Sequence, residues 1–469
     1  MREPEGVLGE IVRRKRADVA ARFGSASLDA VRGRAGPTTR SLKAALARPG
    51  ARFVMEVKRA SPSQGSLRQE LKPAAAARAY RGVADAVSVL TDGPYFGGSF
   101  EDLRAVRTEL DVPVLCKDFM VDLRQVAEAR AHGADAVLVM LSVLDDAAAA
   151  EMIAEARRFG MDALVEAHTA EEVDRAVALG AELIGINNRD LRSLQIDLAT
   201  TEALARRVPG DRVLVTESGI ETRGDVKRLS PIADAFLVGS SLMRQADVGA
   251  GARALVWGGV KACGLTRPED ARAAKACGAT FGGLIFAEGS SRRVDRDAAE
   301  RVGDAFGEAE PLRWVGVFRD EPVDVIARDA ERHDLVAVQV HGRRSAEDVR
   351  RLREALPHGC EIWLVAGVET AIEPVADEAD RVVFDASVGG RSGGTGRAFD
   401  WSLLRGRPEL PDAVLAGGLK PENARAADAV GAWALDVNSG VEDAPGVKSA
   451  EKLQRFFDAL RPVSRQEVA

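Results

Sequence analysis

The stretch Val260-Lys261-Ala262-Cys263-Gly264-Leu265-Thr266 is a short apolar run that stops at a cysteine and turns on a glycine. It decides the fold, because a pattern that fills the first half of the chain starts again there. Upstream, runs rich in Val, Leu and Ile occur at 53–57, 86–90, 112–116, 136–140, 162–166, 183–186, 213–216 and 235–238. Their length and continuous apolarity suit strands buried on both faces, the mark of a parallel sheet. Ala/Arg/Glu-rich segments with helical periodicity separate most of them, as at 74–81, 123–132, 145–159 and 171–179, and Gly133, Gly160 and Gly180 fall where helix C-caps are expected. Strand then helix, eight times in succession, predicts a (β/α)8 barrel.

Downstream the count restarts at 260–263 and continues at 281–286, 314–318, 336–340, 362–366, 381–385, 413–416 and 433–437. Helical segments intervene at 268–277, 298–306, 323–332, 346–356 and 421–430. The expected α/β fold is therefore two consecutive TIM barrels, divided at Gly258-Gly259 into domains 1–257 and 258–469. A pair of open doubly wound sheets would also alternate strands and helices, but the count of eight per half disfavours it. No GxGxxG follows a first strand, so the usual dinucleotide signature is missing.

Ahead of the first barrel, residues 7–23 predict an amphipathic helix with Val7, Leu8, Ile11, Val12, Val19 and Phe23 on its apolar stripe. Arg13-Arg14-Lys15-Arg16 reads as its solvated face. A second short helix is expected at 39–48, before Pro49-Gly50.

Composition excludes several classes. The 469 residues are 46% hydrophobic and 29% charged, which is globular, and the net charge of −7 argues against a nucleic-acid partner. Four scattered cysteines (Cys116, Cys263, Cys277, Cys360) make neither a disulfide framework nor a zinc site, and fit a reducing compartment. No metal and no cofactor are expected. The Arg/Lys run interrupts the first apolar stretch, so it is no signal peptide, and no apolar run is long enough to span a bilayer. The expectation is a cytoplasmic protein with no membrane partner.

In such barrels chemistry sits where strands end. The first half places Glu56, Lys58, Lys117, Ser142, Glu166, Asn187 to Arg189, Glu217 to Gly219 and Gly239 to Ser241 at those exits. A charge there is costly unless paired or used. Two carboxylates and two lysines on one rim supply donors and acceptors; the alternative is a set of ion pairs that only holds the barrel mouth together. In the second half Cys263, Arg292, His341 and Asp385 occupy exits. The last two loops of both halves are rich in glycine and serine: Ser218-Gly219 and Gly239-Ser240 in the first, Gly417-Gly418 and Ser439-Gly440 in the second. Loops at this address commonly bind phosphate through backbone N–H groups. The run 391–397 lacks the GK[ST] ending of a P-loop, and is expected as a loop beside Asp385 that covers the site.

At this point the motifs are recognisable. Glu56-Val57-Lys58-Arg59-Ala60-Ser61-Pro62-Ser63, Leu115-Cys116-Lys117-Asp118-Phe119, Gly185-Ile186-Asn187-Asn188-Arg189-Asp190-Leu191 and Glu217-Ser218-Gly219-Ile220 resemble the indole-3-glycerol-phosphate synthase family. Lys261-Ala262-Cys263-Gly264-Leu265-Thr266, Val338-Gln339-Val340-His341-Gly342, Gly394-Thr395-Gly396-Arg397 and Ser439-Gly440-Val441-Glu442 resemble the phosphoribosylanthranilate isomerases. Together they resemble the fused enzymes of bacterial tryptophan biosynthesis, synthase first and isomerase second.

The resemblance implies roles. Cys263 would be the isomerase general base, Asp385 its general acid, and Arg292 would hold the anthranilate carboxylate. In the synthase, Lys117 would be the general acid of ring closure and Glu166 an acid or base in the later dehydration. Lys58 would contact substrate and share the proton chemistry, with Glu56 and Asn187 positioning and assisting. Ser61, Arg189, Glu217, Ser218 and His341 complete the expected substrate contacts. Gly219, Gly239 and Ser240, with Gly417, Gly418, Ser439 and Gly440, form the phosphate cradles. The partners implied are phosphosugar–anthranilate small molecules, on a monomer. An isomerase of another phosphosugar pathway would need paired aspartates at strands 1 and 5, which neither half has. One barrel serving only as a scaffold would predict missing catalytic side chains, and none is missing.

Overall fold

The structure, a computed structural model of the chain, describes residues 6–61, 65, 66, 68, 70, 72–190, 193–307, 310–388, 391, 392 and 396–468. Pro62, Ser63, Gln64 and residues 393–395 of the motifs above lie outside the described residues, as do the side chains of Ser61, Arg391 and Ser392. Two compact units are present. One runs to Val256 and takes in the tail from Pro462; the other spans Trp257–Arg461.

The first unit opens with helix α1 (Gly6–Phe23). Eight parallel strands follow: β1 (Arg52–Val57), β2 (Ala86–Leu90), β3 (Val114–Lys117), β4 (Ala136–Met140), β5 (Asp162–Ala167), β6 (Leu183–Asn187), β7 (Val213–Glu217) and β8 (Ala235–Val238). They form a closed barrel. β1 makes the closure, with Met55 opposite Val238 on one side and Val87 on the other. This removes the open-sheet alternative, since a closed ring has no edge strand. All five residues of β2 and of β4 are buried, as strands covered on both faces must be.

An aspartate immediately before a strand recurs as the device that seals the strand starts. Asp85, Asp135 and Asp234 precede β2, β4 and β8. Their carboxylates accept the backbone N–H groups of Phe53, Val114 and Leu214 at 2.9, 3.0 and 2.8 Å. Each buried charge is paired: Asp85 with Arg52 at 3.0 Å, Asp135 with Arg107 at 2.8 Å and Asp234 with Arg465 at 3.1 Å. Arg465 comes from the C-terminal tail. The tail also accepts the Ala51 N–H at the Pro462 carbonyl (2.8 Å) and the Gly50 N–H at Glu467 (2.7 Å). It thus packs with the first barrel rather than with the domain 258–469 expected from the sequence, because it carries the partners that the first barrel's strand starts need.

One correction concerns α1. Leu8, Ile11, Val12 and Val19 are buried on its inner stripe, but so is Lys15, with only 5% exposure, while Val7 is exposed. Lys15 leaves the solvated face predicted for the Arg/Lys run because its ammonium sits between two carboxylates, 2.7 Å from Asp92 and 2.6 Å from Asp118. The second predicted helix is shorter than expected, Leu42–Leu46, capped by Ser41.

The second unit contains β9 (Gly259–Ala262), β10 (Phe281–Ile285), β11 (Arg313–Phe318), β12 (Ala337–Val340), β13 (Glu361–Val368), β14 (Arg381–Val388), β15 (Val414–Leu415) and β16 (Ala434–Val437). All eight pair in parallel, and the ring closes where Val260 lies opposite Leu435. The aspartate device returns at Asp380, which accepts the Ile362 N–H at 2.7 Å. Phe281, Trp363 and Trp433 fill the core in edge-on and tilted contacts, ring centroids 5.5–5.9 Å apart. No helix lies between β13 and β14, the interval where the sequence also offers no helical segment.

Candidate active sites

In the first barrel the polar residues of the strand ends converge on one cavity. Glu56, Lys58, Lys117, Glu166, Asn187, Arg189, Ser218, Gly219, Gly239 and Ser240 all line it. Lys117 and Glu217 are the last residues of their strands, not loop residues, so both are held by the sheet. Lys117 Nζ lies 2.8 Å from Glu217 Oε2 and 3.4 Å from Glu56 Oε2; Lys58 Nζ lies 2.8 Å from Glu56 Oε1.

The electrostatics follow from burial and these pairs. Burial alone would depress the Lys117 ammonium, but Glu217, Glu56 and Glu166 more than offset it, and Lys117 titrates above an ordinary lysine. Burial alone would raise Glu56; Lys58 and Lys117 outweigh it, so Glu56 stays below the usual carboxylate range. Glu217 behaves oppositely. Burial pushes it up, Lys117 pulls it down, and Glu166 adds to the rise. A neighbouring carboxylate disfavours a second negative charge, so Glu217 holds its proton more tightly than an ordinary glutamate. His168 flanks the pair, with Nε2 3.5 Å from Glu166 Oε1. Burial disfavours its cation, but Glu172 and Glu166 raise it above an ordinary histidine.

Close packing fixes this cluster. A Cβ on Gly239 would stand 2.5 Å from Glu56 Oε1 and 2.9 Å from Glu56 Cβ, so glycine just past β8 leaves room for that carboxylate. Ser218 has a φ of 66°, a left-handed conformation uncommon outside glycine, and turns the chain sharply after β7. Asn188 is buried and serves the scaffold: its amide donates to Thr216 and to the Glu217 and Ser218 carbonyls, each at 3.0 Å. Sequence reasoning missed the apolar wall, to which Leu8, Ile11, Phe96, Phe119, Leu138 and Ile196 contribute. Its only sequence signal was the apolar stripe of α1, which supplies Leu8 and Ile11. The wall suits a flat aromatic ring beside the charged cluster.

In the second barrel Cys263, Arg292, His341, Asp385, Gly417, Gly418 and Ser439 line one cavity. Cys263 lies one residue past β9 and is tied down by its N–H to the Val437 carbonyl at 2.9 Å. Arg292 is held by Glu442, with contacts of 3.0, 3.0 and 2.7 Å. A ligand carboxylate there would share the guanidinium with Glu442. His341 is pushed down to about 3 by burial and by the nearby Arg319 and Lys261 charges, so it is neutral at ordinary pH. Gly440 does not line the cavity. A Cβ there would run into the Leu419 carbonyl, so its glycine serves loop packing.

Two closed parallel barrels, each with acid–base groups and glycine-rich loops around a cavity at the strand ends, define a two-site enzyme of the TIM-barrel class. The indole-3-glycerol phosphate synthase family profile matches residues 8–255, and that of N-(5'-phosphoribosyl)anthranilate isomerase matches 260–459. A tryptophan biosynthesis protein, TrpCF, of Vibrio parahaemolyticus is 46% identical over 459 residues, covering 97% of this chain and 94% of that one. Its namesake in Yersinia pestis is 43% identical over 456 residues, covering 97% and 94%. Among solved structures, phosphoribosyl anthranilate isomerase from Thermus thermophilus is 36% identical, with a TM-score of 0.37, covering 43% of this chain and 98% of that one. The chain belongs to the family of fused indole-3-glycerol phosphate synthase–phosphoribosylanthranilate isomerases of tryptophan biosynthesis, and is a bifunctional lyase and isomerase.

Proposed function

We propose that the two activities run on two separate residue sets. In the second barrel, Asp385 protonates the ribose ring oxygen of N-(5-phosphoribosyl)anthranilate and the ring opens to an imine. Cys263 then takes the C2′ proton, and the product is 1-(o-carboxyphenylamino)-1-deoxyribulose 5-phosphate. Arg292 holds the anthranilate carboxylate, His341 contacts substrate as a neutral group, and the loops at Gly417-Gly418 and Ser439 receive the phosphate.

The first barrel closes the indole ring of that product, with loss of CO2 and water. Lys117 donates to the carbonyl oxygen as carbon attacks it, and a lysine kept charged by its carboxylates is suited to an oxyanion developing beside it. Lys58 contacts substrate, and Glu56 holds both ammonium groups in place. Glu166, beside the raised Glu217, serves the dehydration as acid or base, while Asn187 assists. Arg189 and Ser61 contact substrate, while Glu217, expected there from the sequence, is wholly buried off the cavity lining and acts through Lys117; Ser218, Gly219, Gly239 and Ser240 cradle the phosphate. The observation that carries this reading is the buried Glu56–Lys117–Glu217 array at one cavity.

The proposal includes a monomer acting in the cytoplasm, supported by four free thiols; among the described residues no helix is long and apolar enough to cross a membrane. Separate half-reaction assays test the roles. Cys263→Ala is expected to lower isomerisation by roughly 10²–10⁴-fold and spare the synthase step, and Lys117→Ala to do the reverse. A variant that kept its own half-reaction near the parent rate would remove that residue from its role.

A further inference from the structure

Lys261 lies on β9, two residues before Cys263, and is wholly buried. A buried ammonium is costly unless each N–H finds an acceptor. Lys261 Nζ has three N–H bonds and three acceptors: Asp436 Oδ2 at 2.7 Å, Gln339 Oε1 at 2.9 Å and Cys263 Sγ at 3.1 Å. An ammonium can only donate, so in this contact the sulfur is the acceptor. Gln339 is orientated by the same logic. Its oxygen faces Lys261, and its nitrogen lies 3.3 Å from His341 Nε2, which accepts when the ring is neutral.

The neighbouring strand is shaped around this contact. A Cβ on Gly283 of β10 would stand 2.8 Å from Cys263 Sγ and 3.0 Å from Lys261 Cε. Glycine there leaves room for both groups.

We propose that Lys261 is the positioning residue of the isomerase base, holding Cys263 Sγ as the thiolate that accepts the substrate's C2′ proton. This rests on the assignment of Cys263 as that base. In the step, the C2′–H bond breaks and its proton bonds to sulfur. Its electron pair forms C1′=C2′, and the C1′=N π pair returns to the nitrogen of the protonated imine. Lys261 touches no substrate atom in this scheme and acts through the sulfur.

The other charges around Cys263 are accounted for. Asp436 on β16 opposes the thiolate. Lys448 and Arg292 favour it, but both are drawn to Glu442. Asp385, Arg319, Asp320 and Glu288 line the same cavity, and His341 beside them is neutral. Burial, aided by Asp436, keeps the thiol above its ordinary range, and Lys261 is the strongest group pulling it back toward the thiolate.

The test follows alkylation of Cys263 by iodoacetamide against pH in the full-length protein, with the Cys263 peptide read by mass spectrometry. Lys261→Met is expected to move the inflection up by at least about one unit, slowing alkylation roughly tenfold at neutral pH. Lys261→Arg is expected to restore much of the shift. Asp436→Asn is expected to move the inflection down, because it removes the carboxylate that competes with sulfur for the ammonium. An unchanged inflection in a folded Lys261→Met protein overturns the proposal. Should that variant fail to fold, an unchanged or raised inflection in Asp436→Asn overturns it instead. None of these readings needs catalysis, whereas the role of Cys263 stands or falls on the Cys263→Ala half-reaction.

Discussion

The Lys15 ammonium of the N-terminal helix lies 2.6 Å from the Asp118 carboxylate, and both side chains are buried. Asp118 is the residue after Lys117 and also accepts a hydrogen bond from Thr91 at 2.8 Å. Helix α1 is therefore clasped to the residue that directly follows the proposed synthase acid. Lys15→Met should leave Asp92 and Asp118 buried without their cation, at a cost of about 3–5 kcal/mol. Since Leu8 and Ile11 of the helix line the synthase cavity, the expected outcome is a higher KM and lower kcat for ring closure, with isomerase kinetics unchanged. Steady-state assays of the two half-reactions check this; an unaffected synthase KM would refute the clasp.

Gly239→Ala should act on the synthase through Glu56. The new methyl meets Glu56 Oε1 at 2.5 Å and Glu56 Cβ at 2.9 Å, so the carboxylate that grips Lys58 and Lys117 must move. A displacement of about 1 Å in such a constellation costs on the order of 10²-fold in rate. The expected result is that loss in synthase kcat, with little change in melting temperature and none in isomerisation.

Glu217 and Glu56 should pull stability in opposite directions with pH. Glu56 is depressed in the folded state, so its contribution is present above the ordinary value of 4.5 and is lost as pH falls through its lower folded value. Glu217 is raised, so the folded state binds its proton more tightly than the unfolded chain does. Its contribution is present below 4.5 and is lost as pH rises toward the raised value. Glu217→Gln removes that second loss. The melting temperature of the variant relative to its parent should rise as pH increases from 4.5, measured by the loss of circular dichroism on heating. A constant difference across that interval would contradict the raised carboxyl.

Arg465→Ala should weaken the first barrel from its C-terminal tail. Asp234 would keep its backbone bond to Leu214 at 2.8 Å but lose its cation at 3.1 Å. Loss of one partner of a buried pair costs about 3–5 kcal/mol. Thermal inactivation of the synthase half should shift to lower temperature, while its kinetics at 25 °C stay near those of the parent. An unshifted inactivation curve would show that the tail is dispensable there.

Much of this was legible in the chain itself. The apolar runs of β2 and β4 announce buried parallel strands, and the restart at Val260 announces a second set. Glu56, Lys117, Glu166 and Cys263 stand at or beside strand ends by counting alone, whereas Asp385, expected to end its strand, lies within β14, which runs on to Val388. The limits are equally specific. Glu217 reads as a loop residue, yet it ends β7 and binds Lys117. Gly440 reads as part of a phosphate loop, yet its hydrogen makes room for the Leu419 carbonyl.

The sequence by itself determined what depends on neighbours along the chain: the alternation of strand and helix, the number of strands in each half, and which polar residues follow an apolar run. It could not determine the fate of Lys15, Lys261 or Arg465. A lysine or arginine in isolation belongs in water, because burying its charge is expensive. Only when the strands close into barrels do Asp92 and Asp118, Gln339 and Asp436, and Asp234 arrive beside these cations from distant parts of the chain. Those acceptors offset the cost of burial, and they exist as a set only in the tertiary structure.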